Sequence, residues 1–143
     1  MTSLSDVQSP SPRPVRDGLF QFDPPQLLGS RCSACGTAAF PARDFCPKCA
    51  ADGPHQAVAL SPRGTVFSYT VVHQAPAGRP TPYVLAYVDL PDQVRVMAQV
   101  DAPPGVMRIG MPVRLVLKPV GEDGGVPVIG YAFAADADLQ EVQ

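Results

Sequence analysis

Charge is scarce in this 143-residue chain. Charged residues make up 17% of it, below the roughly 25% usual in soluble domains. More of the surface than usual must therefore be neutral or apolar, which favours a permanent partner over a free monomer. Cations are few and scattered: eleven Lys and Arg residues, a net charge of -2 and a pI of about 5.5. Holding nucleic acid means neutralising many phosphates with clustered Lys and Arg, so no nucleic-acid partner is expected. No apolar run approaches the roughly 18 residues that span a bilayer. No lipidation signal and no basic segment leading into an apolar run is present. These absences give the expectation of a soluble, cytoplasmic protein without membrane contact.

Catalytic groups are equally sparse. There are two histidines, His55 in a linker and His73 at the end of a strand-like run, and a lone histidine at a strand end is usually a surface or hydrogen-bonded residue. His73, beside the loop from Gln74 to Pro82, is the better placed of the two to face a pocket. No Gly-x-Ser-x-Gly elbow occurs. Gly121, Gly124 and Gly125 lack the following Lys-Ser/Thr of a phosphate loop. Asp89 with Asp92, and Glu122 with Asp123, read as solvated turn residues. No catalytic residue is assigned, and the chain is expected not to turn over substrate alone.

What the chain does have is a cluster of cysteines. Cys32-Ser-Ala-Cys35-Gly36, nine residues, then Cys46-Pro-Lys-Cys49 contains all four. Two Cys-x-x-Cys pairs on a short loop suit one tetrahedral zinc, each pair forming a knuckle that presents two thiolates. Gly36 permits the positive φ of the first knuckle, and Pro47 stiffens the second. Disulfides and a redox Cys-x-x-Cys are the alternatives; a cytoplasmic compartment disfavours the first, and two pairs at ribbon spacing make a shared metal simpler than two redox centres. A site closed by four thiolates leaves no position for water or substrate. The single zinc is expected to be structural, held by Cys32, Cys35, Cys46 and Cys49.

Around this cluster the chain divides into segments. Residues 1–16, rich in Ser and Pro, suggest a disordered or extended arm. Residues 17–55 form the zinc ribbon with an anchor segment in which Phe20, Phe22, Leu27 and Leu28 flank Asp23-Pro24-Pro25. Leu27 to Arg31 is a short strand, and Ala38 to Phe45 a small hairpin with Phe40 and Phe45 covering the metal. Residues 56–135 are β throughout. Gln56 to Leu60 is a bridging strand, and five strands follow over 65–73, 83–90, 94–100, 112–119 and 126–134. The longer connector lies between the third and fourth, and Gly121 to Gly125 makes a hairpin turn. Along 94–100, Val94, Val96 and Ala98 alternate with Arg95, Met97 and Gln99. Count and rhythm match a five-stranded OB barrel; a small sandwich or an SH3-like barrel would show similar strands. Residues 136–143 read as a flexible acidic tail.

The combination Cys32-x-x-Cys35-Gly36, Phe40-Pro41, Cys46-Pro-x-Cys49, Gly64 to His73, Pro82-Tyr83 and Gly110-Met-Pro-Val113 resembles the DUF35 family of zinc-ribbon plus OB-fold proteins, over roughly Leu19 to Phe133. The resemblance implies a rubredoxin-like ribbon packed on an OB-fold barrel. It further implies an auxiliary subunit that associates with a thiolase-like enzyme (a thiolase, an acyltransferase or a retro-aldolase of lipid or steroid metabolism) and helps bind or enclose an acyl-CoA. A two-plus-two hetero-oligomer is the expected assembly. Many relatives carry an amphipathic helix before the ribbon, and Asp23-Pro24-Pro25 breaks that stretch here. Coenzyme A phosphates call for Arg or Lys; Arg63 and Arg79, in loops bordering the first barrel strand, are candidates, and Tyr69 and Tyr83 candidate pocket walls. The competing functions are a nucleic-acid-binding module and a stand-alone acyl-CoA-binding regulator.

Overall fold

The computed structural model describes residues 12–53, 55–78 and 80–136. The arm predicted over 1–16 thus lies outside the described residues up to residue 11, as do the tail from 137 onward and Arg79. Among the described residues the strands are β1 (Arg13–Pro14), β2 (Phe20–Phe22), β3 (Pro25–Arg31), β4 (Ala38–Ala39), β5 (Gln56–Ala59), β6 (Arg63–Val72), β7 (Tyr83–Leu90), β8 (Val94–Asp101), β9 (Pro112–Asp123) and β10 (Val126–Ala135). A 3₁₀ turn at Pro104–Val106 sits in the β8–β9 connector.

Strands β6, β7 and β8 form an antiparallel meander, β8 pairs in parallel with β10, β10 pairs with β9, and β9 returns to β6. That path closes five strands in the order of an OB barrel and leaves no open sheet, which separates it from the sandwich alternative. The alternation along β8 is realised as read: Val94, Val96, Ala98 and Val100 are buried, while Arg95 and Met97 face solvent. Inward residues of every barrel strand meet in one core with Phe133 at its centre. Each fully buried aliphatic or aromatic side chain there contributes about 1.5–3 kcal/mol. Gly64 is required where β6 crosses close to β7, because a Cβ would stand 2.6 Å from the Asp89 carbonyl oxygen.

The β9–β10 turn is tighter than the predicted Gly121 to Gly125 loop. Strand pairing continues through Gly121 and Glu122 to Asp123, and the chain reverses over Gly124 and Gly125 alone, with φ of +61° and +85°. Two consecutive positive-φ residues match the right-handed twist of the flanking strands. Asp136, assigned by its sequence to the mobile tail, is instead buried: its N–H donates to the Pro112 carbonyl, and its carboxylate lies 3.3 Å from Arg63. At the other end, β1 pairs with β10, and Val15 N–H donates to the Ile129 carbonyl.

The second sheet contains β2, β3, β4 and β5. Asp23 and Pro24 turn β2 into β3, so Phe20 pairs with Leu27 and Phe22 with Pro25. Strand β5 pairs with β3, carrying the ribbon's sheet past residue 55. Phe20, Leu27 and Leu60 belong to the same buried cluster as the barrel valines. The two modules therefore share one core.

Candidate metal centre

Strand β3 ends at Arg31, and the next residue is Cys32. In each knuckle the first cysteine is buried and the second exposed, in the order Cys32, Cys35 and Cys46, Cys49. The two knuckles repeat one hydrogen-bond pattern. Cys32 Sγ accepts from the N–H groups of Ala34 (3.3 Å) and Cys35 (3.4 Å), and Cys46 Sγ from those of Lys48 and Cys49 (both 3.4 Å). The Cys32 carbonyl accepts from Gly36 and the Cys46 carbonyl from Ala50, both at 3.0 Å. Those two donors share a left-handed backbone, φ +80° at Gly36 and +67° at Ala50. The sequence announces the first with glycine; the second, on alanine, has no such signal.

All four Sγ atoms lie within 4.8 Å of one another, with Cys32 to Cys49 at 3.6 Å and Cys35 to Cys46 at 3.7 Å. Thiolates about 2.3 Å from one tetrahedral zinc stand roughly 3.8 Å apart, so the donor set fits that ion. Local hydrogen bonds favour the thiolate at two of the four sulfurs, while the neighbouring Cys32 thiol helps push Cys49 up to about 12. The Thr37 hydroxyl, 3.1 Å from Cys35 Sγ, lowers that thiol to about 6, and the N–H of Cys49 lowers Cys46.

The hairpin expected over Ala38 to Phe45 does not form, and Phe40 packs away from the metal. Strand β4 pairs back onto β3, and Phe45 bridges Asp52 with half its surface exposed. Phe40 turns toward the barrel and meets Tyr131 edge-on at 5.7 Å. Burial against this contact raises the Tyr131 phenol.

Of the other candidates, His55 packs on the first knuckle, its Nδ1 accepting from Ser33 N–H at 3.4 Å, with Nε2 buried. His73 is exposed beyond β6. Arg63 is committed in part to Asp136, and the Tyr69 hydroxyl donates to the Met107 carbonyl at 3.2 Å; Tyr83 is half-buried at the start of β7. Three of the four acidic residues read as solvated are partnered: Asp89 with Arg95, Asp92 with Ser61 N–H, and Asp123 with Arg13. Two clefts lie elsewhere on the described surface, the second reaching Asp92. One of about 520 Å³ lies at the β6–β7 loop, between Pro76, Ala77, Gly78 and Pro80 on one side and Lys118 to Val120 on the other. Another of about 530 Å³ separates the knuckles from the β7–β8 turn and holds Arg31, Thr37, Lys48 and Asp92. Neither Arg31 nor Lys48 was singled out in the sequence, because no motif marks a basic residue beside a metal ligand as a cleft wall. Among the described residues no helix is long and apolar enough to cross a membrane.

Comparison with known proteins follows the same two modules. Residues 22–55 match the rubredoxin-like zinc ribbon domain of ChsH2, and residues 57–118 match the ChsH2 C-terminal OB-fold domain. The chain is 42% identical over 112 residues to a DUF35 domain-containing scaffold protein of Methanocaldococcus jannaschii, covering 75% of this chain and 79% of that protein. It is 38% identical over 110 residues to the benzoylsuccinyl-CoA thiolase subunit BbsA of Thauera aromatica, covering 76% of each. Among solved structures, the Ltp2-ChsH2(DUF35) aldolase superposes with a TM-score of 0.61 at 31% identity, over 77% of this chain and 84% of that one.

Proposed function

Since the chain belongs to the DUF35 family of zinc-ribbon and OB-fold proteins, we propose that it is an auxiliary subunit of a thiolase-like enzyme and helps to bind or enclose that enzyme's acyl-CoA substrate. The observation that carries this reading is the 38% identity to a thiolase subunit, BbsA, across three quarters of both chains. The ribbon and barrel are thus retained together in a protein named for a CoA thiolase. Likeness to the Ltp2-ChsH2 aldolase points the same way, to a relative in complex with a second protein.

Within this reading Cys32, Cys35, Cys46 and Cys49 hold one structural zinc. The bound ion supplies cross-linking of the two knuckles and no open coordination site. The chain's own contribution is a cleft between ribbon and barrel lined by Lys48, by Asp92 and by Arg31, whose guanidinium donates to the Gly36 carbonyl at 2.8 Å. Two cations beside the Thr37 hydroxyl suit the phosphates of coenzyme A. A two-plus-two assembly and a reducing, cytoplasmic setting for the four thiols complete the proposal. Its test is co-expression with a thiolase-like protein encoded beside this chain. The expected result is a stable complex with turnover of an acyl-CoA and no turnover by this chain alone. Full activity of the isolated chain, or absence of any complex, contradicts it.

A further inference from the structure

The outer surface of β6, β7 and β8 carries apolar side chains that the fold does not use. Strand pairing arranges that face in three rows: Thr65, Asp89, Arg95; Ser68, Tyr87, Met97; and Thr70, Leu85, Gln99. On a sheet with one solvated face such positions are ordinarily polar. Here Tyr87 is 46% and Met97 54% exposed at the centre. Register slips by one residue between Val66 and Ser68, and the bulge puts Phe67 on the surface, 48% exposed. Bulges re-aim side chains in this way. The inward set of these strands already fills the barrel, so these three contribute little to its core.

The one cation of the three rows is held in place. Arg95 binds Asp89 through two bonds, of 2.6 and 3.1 Å, and its guanidinium lies 3.4 Å from the Phe67 ring centroid. The pair cancels in charge and fixes the arginine before any partner arrives. A phosphate backbone finds no uncommitted cation among these rows, and a strongly charged protein finds no field to complement. A neutral apolar protein surface matches both the charge and the composition, since aromatic residues, Met and Arg are enriched where protein interfaces are buried.

We propose that this face, with Phe67, Tyr87 and Met97 as anchors around the Arg95–Asp89 pair, is the docking surface for the thiolase-like subunit, through a neutral apolar patch on that partner. The inference rests on the proposed function above and assigns the surface that performs it. Its test measures the affinity of the full zinc-loaded chain for the co-expressed thiolase-like protein, by titration calorimetry. Tyr87→Thr keeps a strand-favouring residue, and Met97→Asp places a carboxylate where the side chain already meets water. Both are expected to retain one zinc per chain and the wild-type Tm, and to weaken binding by about tenfold or more, as interface anchors do. Phe45→Ser, at an exposed position on the ribbon, is expected to leave affinity unchanged. Wild-type affinity in both barrel variants overturns the assignment, and loss confined to Phe45→Ser moves the interface to the ribbon. Partner binding retained in Tyr87→Thr and Met97→Asp, with single-stranded RNA binding lost, reassigns the face to nucleic acid. Failure of the wild-type chain to bind any thiolase-like protein removes the premise, a result distinct from normal binding by the variants.

Discussion

The barrel and the ribbon solve the same problem of stability by different means. Along β7 and β8 every second residue is buried, and the closed sheet packs valines, alanines and Phe133 into one core. Between residues 33 and 53 only Ala39 and Cys46 are buried. A segment with so little apolar burial cannot offset the entropy of ordering its backbone, so the metal must stand where a core would be. The near end of the ribbon is different again, since Phe20 and Leu27 draw on the barrel's core. Stability therefore falls with distance from the barrel until the four sulfurs restore it.

The sharpest way to break this comparison is to remove the metal. Cys46→Ser or chelation is expected to cost the ribbon on the order of 10 kcal/mol, the usual worth of a structural zinc. Hydrogen exchange should then show residues 33–53 unprotected while β7 and β8 keep their protection. Simultaneous melting of both regions contradicts the division. The converse substitution, Phe133→Ala, removes the centre of the barrel and is expected to cost about 3–5 kcal/mol. Because the core is shared, it should lower the Tm of the whole chain, with zinc stoichiometry unchanged below the transition.

Smaller changes sharpen the contrast. Ala50 holds the left-handed position that Gly36 holds in the first knuckle, and an L side chain is strained there. Ala50→Gly should strengthen zinc retention by about 0.5–1 kcal/mol, the strain relieved less the added freedom of the unfolded chain, read by competition with a chelator. The smallest effect belongs to the barrel surface. Hydrogen bonding from Arg95 holds the Asp89 carboxyl below its ordinary range. A lowered carboxyl contributes stability above its unfolded pKa, and that contribution is lost as pH falls through the folded value. Thermal melts of wild type and Asp89→Asn should therefore differ slightly at pH 7, begin to converge near about pH 4 and coincide only below the lowered folded value.

The metal centre was legible because its information is local: two Cys-x-x-Cys pairs define the knuckles wherever the rest of the chain goes. Strands β7 and β8 were legible too, since a period of two marks a half-buried strand. Phe40 was misplaced because its ring packs edge-on against Tyr131, 91 residues further on, and no local pattern reports such a pairing. Asp136 was misplaced for the same reason, its partner Arg63 lying at the start of the first barrel strand. Ala50 escaped notice because alanine rarely occupies a left-handed turn.

By itself, then, the sequence determined the four clustered sulfurs, the succession of the barrel strands along the chain and the face that β8 buries, since these follow from spacing and alternation along a few residues. Tertiary structure alone decided that β8 and β10 pair in parallel to close the barrel, that Phe20, Leu27 and Leu60 join ribbon to barrel, and that Phe67, Tyr87 and Met97 gather on one outer face. Those outcomes depend on contacts between residues far apart in the chain, whose free energy appears only when the strands have met.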